Sequence, residues 1–323
     1  MPKKILILLF IICGCNTTIQ VKETYFGGQY CSVGSDAKNI PFSRPLPFAR
    51  VDHLLRSHGH FSFKSLMIAN AYGILPLIEK MEELEKKPDY KDINSPTHLE
   101  LIFTKNKIHE IIFLVSTDLT GTVSELNCYS DRIDDIIKHL RYSENQRVTQ
   151  FYIAAIVVGG IFGILSGILQ WASATVQATD SIIGGLAVGY ISYQAYQVET
   201  QVNYVDAKNV LKDIWYRPHE TELFSAPVWY LLNHPTERKR RVPLKQMSTI
   251  LDILISRWLE NGYLGADGSS ERESLIKLYF SRGGVHTIEQ LETRKQMVKQ
   301  AGVTVNLFFQ DLQNFGQELL RHN

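Results

Sequence analysis

The 323-residue sequence predicts a mainly α protein: a long helical hairpin or coiled-coil stalk with an apolar glycine-rich tip, plus a small C-terminal helical module. Three observations carry that prediction. Apolar residues from Ile108 to Leu140 recur at alternating spacings of four and three without a slip. The run from Phe151 to Trp171 contains no charged residue. The chain after Pro243 breaks into amphipathic segments marked by helix-capping residues. Composition sets outer limits. At roughly 150 residues per domain the length suits about two domains. Lys plus Arg number 34 against 33 Asp plus Glu, a formal charge of +1, which argues against bulk nucleic-acid binding. A mean hydropathy of −0.09 excludes a polytopic membrane protein but leaves room for one or two apolar segments.

The N-terminus carries an address. Lys3 and Lys4 precede eight apolar residues, Ile5 to Ile12, and then comes Cys13-Gly14-Cys15. A basic start, a short apolar core and small residues at a cleavage point make a secretory signal. As a helix, Ile5 to Gly14 would rise about 15 Å, half the hydrocarbon thickness, so a transmembrane anchor does not fit. The run Ile12-Cys13-Gly14-Cys15 resembles the lipobox of bacterial lipoproteins. That resemblance implies that residues 1–14 are removed and that Cys15 becomes the mature N-terminus, carrying diacylglycerol and an N-acyl chain. It also implies membrane lipid as a partner. Asn16 rather than Asp after the Cys implies the outer membrane, facing the periplasm. An ordinary cleaved signal with an incidental Cys is the competing reading.

Export changes how the remaining cysteines read. With Cys13 removed and Cys15 acylated, Cys31 and Cys128 are left, and an oxidising compartment favours one disulfide over two buried thiols. Closing a loop of about a hundred residues stabilises by about 4–5 kcal/mol in the chain-entropy model. Residues 15–60, with their glycines and prolines, read as the acylated N-terminus and a tether. Residues 61–150 read as a helical region and coiled-coil stalk, with Pro76 dividing the first helix and Thr97 with Glu100 capping the long one. Its stripe is Ile108, Ile112, Val115, Leu119, Thr122, Leu126, Tyr129, Ile133, Ile136 and Leu140. Packing within one chain and self-association both produce such a stripe.

Residues 151–196 form the expected hairpin. Twenty-one uncharged residues from Phe151 to Trp171 span about 31 Å as a helix, the thickness of a bilayer core. Tyr152 and Trp171 stand where interfacial aromatics would. Gly159, Gly163 and Gly167 recur every four residues, and Gly185 and Gly189 repeat the spacing in a second apolar stretch. Small residues at that spacing let two helices approach closely. The segment loosely resembles the glycine-zipper two-helix segments of some bacterial envelope proteins. Lys138, Arg141 and Arg147 before the first arm, and a tip without Lys or Arg, fit full crossing of an inner membrane badly. A return helix is expected over 197–217, through Val198, Val202, Val205, Val210 and Ile214, ending before Pro218.

Residues 218–323 read as a loop and a helical module. The loop ends in the basic run Arg238 to Arg241. Pro243 opens a helix that Gly262 closes, Ser270 with Glu273 and Thr287 with Gln290 cap two more, and Gly302 separates the last. Chemistry-bearing patterns are scarce. Asp52, His53, His58 and His60 form a local cluster whose spacing matches no helical zinc motif, and no nucleophile elbow, phosphate loop or dinucleotide fingerprint occurs. The sequence therefore predicts no enzyme, no metal and no cofactor. The expected function is a structural or interaction role in a lipid-anchored envelope protein, whose hairpin contacts membrane, partner helices of envelope proteins or a second copy of the chain. The alternative is an oligomeric pore-forming or membrane-permeabilising component, since an apolar hairpin tipping a helical bundle distantly resembles α-helical pore-forming toxins.

Overall fold

A computed structural model describes residues 18–26, 31, 42, 44–47, 51, 60–168, 174–196, 199–206, 208–221, 223–235 and 247–321. In chain order the elements are β1 (Thr18–Phe26), α1 (Phe63–Ala71), α2 (Leu75–Glu85), α3 (Pro96–Ile168), α4 (Ala174–Tyr196), β2 (Glu199–Val205), α5 (Val210–Tyr216), α6 (Ala226–Leu232), α7 (Ile250–Glu260), α8 (Ser270–Phe280), β3 (Gly283–Thr287) and α9 (Ile288–Arg321). The chain is mainly α, dominated by the 73-residue α3. It divides into two compact units.

The first unit comprises residues 1–26, 133–205 and 283–292. Its sheet has the order β1-β2-β3, with β1 parallel and β3 antiparallel to the central strand. Here the expected return helix over 197–217 is corrected. Thr200, Val202 and Tyr204 are buried while Asn203 between the last two is exposed, and the β-branched residues favour the extended form. Among the described residues of that segment only Val210 to Tyr216 is helical, ending at the left-handed Arg217 just before Pro218. Strand β1 likewise stands inside the segment expected to be a tether. Gly283 is demanded by packing: its φ is +127°, and a Cβ there would lie 2.1 Å from the carbonyl oxygen of Tyr204. Thr287 then caps α9, its hydroxyl accepting from Gln290 N while Gln290 accepts from Thr287 N.

The second unit comprises residues 27–132, 206–282 and 293–323. The stripe on α3 is its spine: Ile108, Val115, Leu119, Leu126 and Tyr129 are buried, and Ile112 is half-buried. Burial within one chain accounts for the stripe, so the stripe itself gives no argument for self-association. Gly302 does not break the last helix. It lies within α9 where a Cβ would sit 3.5 Å from Cβ of Leu126, so the small residue marks a close helix contact. The start of α3 is also shifted, because His98 N donates to Ser95 Oγ and Thr97 is not the cap. Similarly Ser269, not Ser270, caps α8, and Thr249 with Asp252 forms a capping box that opens α7 at Ile250. Pro243 lies outside the described residues. Gly73 and Pro76 divide α1 from α2, with the proline in the first turn where no N–H is missed.

Buried polar groups join the helices of this unit. Cys31 and Cys128 are bonded as a disulfide across 97 residues of sequence. Asp118 on α3 accepts from the Tyr72 hydroxyl at 2.9 Å and from Ser225 Oγ at 2.6 Å, and Ser225 also caps α6. Burial, reinforced by the Asp118 carboxylate, pushes the Tyr72 hydroxyl pKa well above its ordinary value. Asn70 on α1 holds Leu46 by two hydrogen bonds and donates to the Tyr230 hydroxyl on α6. Arg294, fully buried on α9, donates to Asp206 Oδ2 at 2.9 Å and to the carbonyl of Tyr279 at 2.8 Å. Removing one member of such a pair strands the other in a low dielectric. Arg294→Met should therefore lower stability by about 3–5 kcal/mol in urea unfolding followed by circular dichroism. A loss below about 1 kcal/mol, the range of an exposed pair, would show that the Asp206 contact is dispensable.

Candidate membrane-contacting hairpin

The end of α3 and the body of α4 form an antiparallel pair in the first unit. A Cβ on Gly159 would lie 3.5 Å from Val188 Cγ2, and Gly184 lies against Phe162. The pairing thus runs Gly159 to Val188 and Phe162 to Gly184, with one arm ascending as the other descends. Between residues 184 and 195 of α4, where burial is described, the buried positions are Gly184, Ala187, Ile191 and Ala195, at spacings of three, four and four. On α3 the inward face contains Ala155, Gly159 and Phe162.

That face corrects the expected one. Gly159 packs across the hairpin, but Gly163, Gly185 and Gly189 each face open space, where an added Cβ would meet nothing within 4 Å. The environment of Gly167, and Trp171 altogether, lie outside the described residues. The tightest approach belongs to Gly184, where a Cβ would be 2.8 Å from Phe162 Cβ. The physical reason is a rotation of about 100° on α4, one residue. Turning Gly185 and Gly189 inward would turn Ile191 out and put Ser192 in its place. The three-and-four spacing of Gly184, Ala187, Ile191 and Ala195 was the signal available for this face.

The outer surface of the pair is apolar. Between Phe151 and Ile164 only Ala155 is buried. Ile153, Ile156, Val157, Ile161 and Ile164 are each more than half exposed, as is Leu186 on α4, with Ile156 reaching 73%. Between Arg147 and Glu199 the single charged residue is Asp180. Tyr152 and Tyr193 are both 55% exposed. They stand seven residues before Gly159 and five after Val188, about 10 and 8 Å below that contact, so both rings mark the base of the hairpin. α3 is long and apolar enough to cross a membrane by length and composition.

Other candidate chemistry is thin. Asp52, His53 and His58 lie outside the described residues, as do Cys15 and the basic run at 238–241, while His60 is exposed. Among the described residues, no group of three or more His, Cys, Asp or Glu converges to hold a metal. A polar cleft of about 290 Å³ is lined by Lys208, Lys212, Asp213, Tyr216 and Glu220. Asp213 there already accepts from the Thr221 hydroxyl, which in turn accepts from Leu223 N and shapes the turn. No protein family, curated protein or solved structure matches the chain.

The packing makes a direct prediction. The register sets Ala155 opposite Ile191, so a cysteine at each position should be trapped as a disulfide. Gly184→Val overpacks the Phe162 contact at a cost of about 1–3 kcal/mol and should depress that trapping, whereas Gly163→Leu should leave it intact. The reverse order of the two variants would overturn the assigned face.

Proposed function

We propose that this chain is a lipid-anchored protein of the bacterial envelope with a structural or interaction role, held by acyl chains on Cys15 and contacting membrane through residues 151–196. The reading places it at the outer membrane, facing the periplasm. The observation that carries it is the exposed apolar surface of the hairpin. Each buried aliphatic side chain is worth about 1.5–3 kcal/mol relative to leaving it in water, and contiguous patches of this kind mark interaction surfaces. The run around Ile153 to Ile164 points outward on several sides of the helix, which suits lipid rather than a single protein groove. Its backbone is satisfied within the helix, as a hydrocarbon medium requires. The exposed tyrosines at the base support the same placement.

One observation favours a second reading, an oligomeric pore-forming or permeabilising component. Gly160, Gly163, Gly185 and Gly189 present bare backbone on the outside of the hairpin, where a second hairpin could approach closely. Dye release from vesicles separates the two. Release that Gly163→Leu abolishes, with hairpin trapping intact, would favour a pore, and absence of release from the wild-type protein would remove that reading.

The anchor has its own test. Intact-mass analysis of the mature protein should show a chain that begins at Cys15 and carries acyl groups, and Cys15→Ala should accumulate as the uncleaved precursor. A wild-type chain with an unmodified or different N-terminus would refute lipid anchoring.

A further inference from the structure

The sheet fixes where the start of β1 stands relative to the end of α4. β1 and β2 are parallel, and their first residues, Thr18 and Glu199, are partners. Neighbouring strands lie about 4.8 Å apart. Glu199 follows Tyr196, the last residue of α4, by three positions, and Cys15 precedes Thr18 by three positions. Three residues of chain reach at most about 11 Å. Thr18 is therefore bound at the strand end that receives α4, and in sequence only Asn16 and Thr17 separate Cys15 from it.

Two markers of membrane depth thus coincide. An acylated residue lies at the membrane surface, because its chains are buried and its backbone is not. Aromatic rings at helix ends prefer the same interface. Tyr193 is three residues, about 4.5 Å, from the end of α4, and Tyr152 shares its level. From Tyr193 to Ala174, the other end of α4, the hairpin extends by about 29 Å, comparable with the hydrocarbon core. Were the hairpin aimed away from the anchored membrane, this apolar length would stand in water whenever no second surface was present. The two-residue link between Cys15 and β1 leaves little chain to reorient the unit.

Resting on the reading of Cys15 as the anchor and of 151–196 as lipid-facing, we propose that the acyl chains and the hairpin enter the same bilayer through the same leaflet. The protein is clamped to one membrane at two adjacent points. It does not reach from its anchor to a second membrane.

The test uses acylated full-length mature protein in vesicles of phosphatidylethanolamine and phosphatidylglycerol. With Cys31 and Cys128 bonded and Cys15 acylated, Ile156→Cys offers a free thiol for an environment-sensitive fluorophore. Lys138→Cys, about 27 Å earlier on α3, is the control. Nitroxide lipid is placed either in the vesicles that carry the protein or in a second, protein-free population. The clamp predicts that the label at 156 loses most of its emission only when the quencher is in the carrying vesicles, with the label at 138 unchanged. Quenching only by the second population, with the vesicles drawn together, would overturn the clamp while leaving both underlying readings in place. Vesicle-bound protein unquenched in either arm would overturn the lipid-facing hairpin, and the clamp with it. Acylated protein that fails to stay on vesicles would overturn the anchor, and equal quenching at 138 would reduce the contact to surface adsorption.

Discussion

One helix changes its covering partway along its length. Along α3, the stripe from Ile108 to Leu140 is buried at nearly every position, whereas from Phe151 to Ile164 only Ala155 is buried. The backbone is the same in both stretches, because an α-helix satisfies its own N–H and C=O groups wherever it goes. Only the side chains declare the medium. A helix that is apolar all round and covered on one face alone, by α4, cannot hold the rest of that surface in water without cost.

Within each unit, short links and buried groups tie the elements together. In the first unit the central strand β2 is joined to the hairpin by two residues and hydrogen-bonded on both sides, to β1 and β3. Arg141 on α3 also pairs with Glu292 on α9. That pair is exposed and worth at most about 1 kcal/mol, so the sheet is the stronger tie. In the second unit the large terms are buried ones: the disulfide, the Asp118 hub between α1, α3 and α6, and the Arg294–Asp206 pair. Each joins segments distant in sequence, so each limits how far the helices can slide along one another.

Local periodicity made the helices legible, and locality explains what it missed. The α3 stripe could be read because its repeat is local, and the cap at Thr287 because its partner Gln290 lies within a turn. β1 could not, since its partner β2 is some 180 residues away and parallel pairing leaves no short-range turn signature. At β2 the valines at 198, 202 and 205 imitate helical spacing, while Thr200, Val202 and Tyr204 alternate as a strand; sheet pairing decided between them. The hairpin face was missed by one residue because Gly-to-Gly spacing says that two helices approach, not which neighbouring residue turns inward. Gly184, Ala187, Ile191 and Ala195 hold that answer, and their burial selects their spacing over the competing glycine spacing. Cys31 and Cys128 were legible as a pair by count and compartment, whereas the position of β1 was not.

The central claim is that lipid, rather than protein or water, covers the outer face of the hairpin. It is tested most directly by photolabelling native membranes with a lipophilic carbene precursor and mapping the adducts by mass spectrometry. The account predicts adducts on Ile153, Ile156, Val157, Ile161 and Ile164, and none on the buried stripe between Ile108 and Leu140. A hairpin free of adducts, or adducts spread equally over both stretches of α3, would contradict it.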